Sequence, residues 1–226
     1  MSIKITIINA SPRKNGATAK ILDAFAKQLK AYKDAEISLF HLSDLNYHFC
    51  KGCCACYQSG RCIMQDDAEK LSQTIAESDG LIIGTPNYAS NISGQLKTFI
   101  DRGHFVIEQL LKDKHTLGVV TYENAEGRAV YKVLKKLFSF SGARTVAQMI
   151  VKVPFNSDPL AAAQINTKIK KKANRLCQSI SQKRRHPLAN SIIHFFVFHF
   201  GIKPLVIKKG AAYSGVREHW KVRGIM

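Results

Sequence analysis

The sequence predicts an α/β protein, a doubly wound five-stranded parallel sheet with a basic, helical C-terminal extension. Three observations predict it. Five short apolar runs alternate with four stretches of helical period up to residue 153, and such alternation builds a parallel sheet covered on both faces. The chain has 226 residues, 46% of them hydrophobic, enough for one substantial core. Its charge is uneven: residues 1–150 carry 19 Lys and Arg against 14 Asp and Glu, residues 151–226 carry 15 against 2.

The elements follow in order. Residues 3–8, rich in isoleucine, suit a buried first strand. A polar loop over 9–16 precedes a helix over 18–32, marked by Ile21, Leu22, Phe25 and Leu29. Residues 36–42 alternate as a second strand. A cysteine-rich stretch comes next, within the inserted loop 47–66, then a helix over 67–77. A third strand is expected over 80–84, a polar loop over 85–94 and a helix over 95–111. A fourth strand over 116–121, a helix over 129–140 and a fifth strand over 145–153 complete the sheet domain, residues 1–153. Right-handed crossovers place ligands at the carboxyl ends of such strands.

The extension, residues 154–226, reads differently. A lysine-rich helix is expected over 158–181, a basic link over 182–186 and a nearly apolar helix over 187–200, ended by Gly201. Residues 202–226 read as irregular and basic. The apolar helix carries Phe195, Phe196, Phe198 and Phe200 and is too apolar to face water alone. It packs on its own domain, on a partner subunit, or in a membrane interface beside its basic neighbours. The apolar stretch 191–202 is too short to span a bilayer. The first ten residues read as a strand and not as a signal peptide. A cytoplasmic location is therefore expected, where thiols stay reduced and a disulfide framework is disfavoured. Basic tails suit nucleic acid, anionic membrane or an acidic protein. The aromatics here are not interleaved with basic residues as a stacking platform needs, so nucleic acid is disfavoured.

The first loop reads N-A-S-P-R-K-N-G-A-T and matches neither the dinucleotide fingerprint nor the Walker A loop. Ser11, Asn15 and Thr18 offer donors, Gly16 a close backbone approach and Arg13 a bidentate fork, all before a helix N-terminus that favours an anion. Plain turn chemistry with an N-cap explains the same residues. The loop over 84–102 reads G-T-P-N-Y-A-S-N-I-S-G-Q-L-K-T-F-I-D-R, and a flat heteroaromatic ring can rest on such a loop.

Between them lies C-K-G-C-C-A-C-Y-Q-S-G-R-C. Cys50, Cys53, Cys56 and Cys62 form C-x2-C-x2-C-x5-C, a compact start shared with ferredoxin cluster loops. Structural zinc sites more often use two separated C-x2-C pairs. A four-iron cluster, a metal-free thiol set and zinc all remain open, with the cluster fitting the spacing best. Cys54 is an alternative ligand or a small inward hydrophobe; Cys177 reads as the latter.

The motifs S-P-R-x-x-G-x-T and P-x-Y-x-x-x-x-S-x-x-L-K-x-x-I-D-R, in this order with the cysteines between, resemble the flavodoxin-like NADPH-dependent FMN reductase family. The resemblance covers about residues 1–150 and is closest to the iron–sulfur flavoprotein branch. It implies that Ser11, Arg13, Asn15, Gly16, Ala17 and Thr18 hold the FMN phosphate. It implies that Pro86, Asn87, Tyr88, Ala89, Asn91, Ile92 and Ser93 frame the isoalloxazine, with Thr121 and Tyr122 closing the site. It also implies a homo-oligomer, dimer or tetramer, in which one subunit's cluster loop approaches a neighbour's flavin. Three features depart from the family's pattern: Asn87, Ala89 and the T-Y-E-N that replaces a glycine-rich fourth loop.

No acid pair or Ser/His/Asp set marks a catalytic base, so the residues of interest are binders and the cofactors carry the chemistry. FMN with a [4Fe-4S] cluster on Cys50, Cys53, Cys56 and Cys62 implies electron transfer from ferredoxin or NAD(P)H to a small acceptor. The alternatives are a cluster-free NAD(P)H-dependent FMN or quinone reductase, and a basic flavodoxin-like module that docks on membrane or nucleic acid.

Overall fold

The computed structural model describes residues 2–32, 34–183 and 188–226. Five parallel strands form one sheet in the order β2-β1-β3-β4-β5. They are β1 (Ile3–Asn9), β2 (Ala35–His41), β3 (Gly80–Pro86), β4 (His115–Tyr122) and β5 (Arg144–Lys152). The order reverses at β1 and β3, where register pairs Asn9 with Gly84. That reversal opens a crevice at the carboxyl edge.

Period-two alternation sorts the strand side chains between two apolar layers. Ile5, Ile7, Ile82, Leu117 and Val119 face α1 (Ala17–Lys30) and α6 (Ala163–Ser181). Ile8, Leu81, Ile83 and Val120 face α3 (Asp67–Glu77), α4 (Gly94–Arg102) and α5 (Gly127–Phe140). Both faces are covered, which is why β3 and β4 read as continuous apolar runs. Ile169, Ala173, Leu176 and Cys177 of α6 are buried in the same layer as β1 and α1. Cys177 is thus the inward small hydrophobe that its apolar setting suggests.

Several expectations are corrected. The helix expected over 95–111 stops at Arg102. Arg102 is buried and bound to the loop before α3, and His104 and Gln109 then take left-handed backbone angles, so residues 103–113 form turns. The cysteine stretch contains a short helix, α2 (Ala55–Ser59). Pro159–Ala161 form a single 3-10 turn before α6 begins. The basic link beyond Lys183 and the expected start at Pro187 lie outside the described residues. Gly201 does not end the apolar helix. α7 (Leu188–Phe196) passes through a π turn (Val197–Ile202) into α8 (Lys203–Lys208).

Residues 202–226 are largely helical and not irregular, closing with α9 (Ser214–Val222). Burial of Val206, Val216 and Trp220 around Phe198 explains this: the segment packs a small core of its own. No helix among the described residues is long and apolar enough to cross a membrane.

Candidate functional site

A cavity of about 970 Å³ opens at the carboxyl edge of the sheet. Four loops build it, those after β1, β3, β4 and β5. After β1, the Asn9 side chain turns the chain: its Oδ1 accepts from Ser11 N (3.0 Å), and Ser11 Oγ accepts from Arg13 N (3.1 Å). α1 then starts with Gly16 at its N-cap position. No side chain caps it and no acidic residue stands in its first turn. Its free amides and dipole are left facing the cavity, beside Arg13, Lys14 and Lys20.

After β3, Tyr88 and Asn91 exchange two backbone hydrogen bonds of 3.0 Å. Ala89 and Ser90 make that tip with left-handed backbone angles, φ 48° and 59°. Ser93 ties the loop to the sheet: its Oγ donates to Ala10 O (2.7 Å) and its N donates to Thr85 Oγ1 (3.0 Å). Asn87 joins this loop to the one after β4. Its N donates to Thr121 O (2.8 Å) and its Nδ2 to Ala125 O (2.9 Å). After β5, Phe155 N donates to Glu123 Oε1 (3.1 Å), and the Phe155 ring lies 5.3 Å beneath the Arg13 guanidinium.

Of the residues expected from sequence, Arg13, Asn15, Gly16, Ala17, Pro86, Asn87, Tyr88, Ala89, Thr121 and Tyr122 line the cavity. Ser11, Thr18, Ile92 and Ser93 are buried and do not line it, and Asn91 is exposed outside it. Thr18 and Thr121 share a buried hydroxyl hydrogen bond (2.7 Å) that locks α1 to β4. Asn91 Oδ1 accepts from Ile92 N (2.8 Å), and Ile92 is part of the core. The sequence reading missed Lys14, Lys20, residues 123–125 and the whole wall over 153–157. The signal for that wall was available: it follows a fifth parallel strand, whose carboxyl end shares the ligand edge.

The cavity has the volume of a cofactor site. Asn87 Oδ1 is buried with no hydrogen-bond partner, an acceptor awaiting a donor. An uncapped helix start and an orphaned acceptor suit a molecule with an anionic end and a polar ring edge.

The cysteine loop lies elsewhere, and none of the residues lining the cavity is a cysteine. Arg102 gathers its two stems. The guanidinium binds Asp66 through both oxygens (2.8 Å each) and donates to His48 O (2.8 Å) and Met64 O (3.2 Å). Burial opposes it, but the hydrogen bonds from Arg102 and from backbone amides hold the Asp66 carboxyl below the ordinary carboxylate range.

α9 holds the middle of the loop. Tyr57 stacks on Tyr213 at 4.7 Å, and Ser214 Oγ donates to Gln58 O (2.9 Å). Gly60 and Gly215 meet backbone to backbone: a Cβ on Gly215 would lie 2.1 Å from Gly60 N. Beside them His219 Nδ1 and the buried Glu108 Oε2 share a hydrogen bond (2.5 Å).

All five loop cysteines are free; Cys50, Cys53 and Cys54 are exposed, Cys56 and Cys62 half-buried. Burial, then the neighbouring Cys62, push the Cys56 thiol up to about 11. Gly52 N donates to Cys50 Sγ (3.4 Å), the type of contact that steadies a thiolate ligand. Among the described residues no three Cys, His, Asp or Glu side chains are gathered closely enough to hold a metal ion. The donor set fits an iron–sulfur cluster by its chemistry and spacing.

Sheet order, cavity and loops define a flavodoxin-like α/β fold with a ligand site at the carboxyl edge of its sheet. Residues 3–158 match the NADPH-dependent FMN reductase family, and the chain belongs to it. An iron–sulfur flavoprotein of Clostridioides difficile (strain 630) is 36% identical over 98% of this chain and 99% of its own length. One from Archaeoglobus fulgidus is 37% identical over 53% of this chain and 54% of its own.

Solved structures share the fold. An NADH:FMN oxidoreductase in apo form gives a TM-score of 0.59 at 23% identity, covering 77% of this chain and 90% of that one. An FMN-dependent NADH-azoreductase of Bacillus anthracis in complex with FMN gives 0.61 at 18%, covering 77% and 99%.

Proposed function

We propose that this oxidoreductase binds FMN in the cavity, carries a [4Fe-4S] cluster on Cys50, Cys53, Cys56 and Cys62, and passes electrons from NAD(P)H or a reduced ferredoxin to a small acceptor in the cytoplasm. The observation that carries the flavin reading is one cavity joining the uncapped α1 N-terminus to the orphaned Asn87 Oδ1. Bound FMN supplies two-electron chemistry and a cluster supplies one-electron transfer.

The chain's own residues have these tasks. The α1 amides and Arg13 receive the phosphate, and Ser11 holds the turn that aims them. Asn87 presents its carbonyl oxygen to an N–H on the ring's polar edge and closes the β4 loop through Ala125. Tyr88 and Tyr122 line the cavity walls. Arg102 and α9 set the cysteine loop.

The relatives' name, iron–sulfur flavoprotein, supports the cluster. A homo-oligomer is part of the same proposal: with no cysteine at its own cavity, a chain brings its cysteine loop to the cavity of a neighbour.

The test is purification without oxygen, followed by assays of released flavin, iron and acid-labile sulfide. FMN with iron and sulfide near four per chain is the expected result. FMN without iron and sulfide would leave a cluster-free NAD(P)H-dependent flavin or quinone reductase. No flavin would end the reading altogether.

A further inference from the structure

The chain is helical without interruption from α7 through the π turn into α8. One side of this long helix is used. Phe198, Ile202 and Val206, four residues apart, are buried against Val216 and Trp220 of α9. His194 Nε2 and Gln109 Oε1, 2.7 Å apart, fix the helix to the body of the protein.

The other side is equally apolar and stands in solvent. Ile192, Ile193, Phe195, Phe196, Phe200 and Ile207 are exposed, Phe196 at 58% and Phe200 at 70%. The Phe196 and Phe200 rings stack at 5.5 Å, and the Phe195 ring lies 4.3 Å from His199. A helix apolar on both sides needs cover on both.

Charge selects the cover. From residue 188 onward the sequence has Lys203, Lys208, Lys209, Arg217, Lys221 and Arg223 against Glu218 as its one acidic residue. Lys208 and Lys209 are exposed where the apolar face ends, and Lys183, Arg184 and Arg185 precede it in sequence. A two-fold interface between copies sets the same patch against itself and brings these like charges together. An anionic lipid surface accepts aromatic rings at the headgroup–acyl boundary and attracts the lysines beside them.

We propose that the outer face of α7 and α8 is a docking surface for an anionic bilayer, lying in the plane of the headgroups without spanning. This does not depend on which cofactors the protein carries.

Flotation of the full-length chain with vesicles tests it, using phosphatidylcholine alone and phosphatidylcholine with about one third phosphatidylglycerol. Binding is expected on the anionic vesicles only, weakening as salt rises. Lys208→Gln with Lys209→Gln is expected to weaken it roughly 25-fold, since each lysine near the surface contributes roughly fivefold. Phe196→Asp with Phe200→Asp is expected to abolish it while leaving the melting temperature and the mass in solution unchanged, because both side chains face solvent.

No flotation on anionic vesicles overturns the proposal. So does equal flotation by the phenylalanine variant, which would mean adsorption through charge alone. A drop in solution mass caused by that variant also overturns it, and assigns the face to a second copy.

Discussion

The cavity loops and the cysteine loop belong to one chain but are built to opposite standards. Around the cavity, hydrogen bonds join segments far apart in sequence: Ser93 to Ala10 and Thr18 to Thr121, both buried, and Asn87 to Ala125 at the surface. Such ties preorganise a site before any ligand arrives. The cysteine loop is tied at its stems, by Arg102, by the hydrogen bonds between Asn46 and Asp67 and by Tyr47 to Gln95 O, and at its middle, by α9. Cys50, Cys53 and Cys54 between those points are exposed, and Cys54 sits with a left-handed φ of 58°. On the proposed reading this difference is a division of labour. The flavin finds a finished cavity, while the cluster completes its own loop, its binding free energy becoming folding free energy.

The sharpest way to break the comparison is Arg102→Ala. It leaves the Asp66 carboxylate without its cationic partner and removes the ties to His48 O and Met64 O, so a loss of about 3–5 kcal/mol is expected in urea unfolding. A loss below about 1 kcal/mol would show that the stems are held by something else.

Next comes Gly215→Val. Its side chain collides with the Gly60 backbone, so about 1–3 kcal/mol of overpacking strain is expected. Alkylation of Cys56 in the metal-free protein should speed up while FMN affinity stays put. Unchanged alkylation would remove α9 from the loop's support.

His115 tests the sheet beneath both regions. Burial, helped by nearby Arg144, pulls its pKa down to about 4, and its Nδ1 lies 2.9 Å from Ser179 Oγ. A neutral folded-state histidine binds fewer protons than the unfolded chain. Stability should therefore fall as pH drops from about 6.5 to about 4, by on the order of 2 kcal/mol. His115→Gln should flatten that slope; an unchanged slope would place the acid sensitivity in other groups.

The smallest effect is expected from Asn87→Val. It removes the orphaned acceptor and the bond to Ala125, so FMN should bind about tenfold more weakly. Equal affinity would deny Asn87 any part in holding the flavin.

The sheet was legible because its signal is local. Ile3 to Ile8 and Gly80 to Gly84 are apolar runs bounded by turn residues, and the helices between them show clean spacing. The β1 and β3 loops were legible for the same reason, each being a short motif at a strand end.

What could not be read depended on distant partners. Leu96 to Leu111 keeps a helical pattern, yet Arg102 is drawn to Asp66 and the helix stops there. Gly201 looks like a terminator, but Phe198 and Ile202 on either side are buried on α9 and carry the helix through. The wall over 153–157 contributes through position and not motif: its place after the fifth parallel strand pointed to it, and nothing in P-F-N-S did.

Trp220 is the chain's single tryptophan, 5.0 Å from the Phe198 ring and donating to Ile107 O. Its emission therefore reports the C-terminal core and nothing of the sheet. Because flavin absorbs where indole emits, quenching of that one fluorophore would read the separation between tail and cavity in solution. The molecule carries its own spectroscopic ruler, without a label, for following the extension as the bound flavin is exchanged.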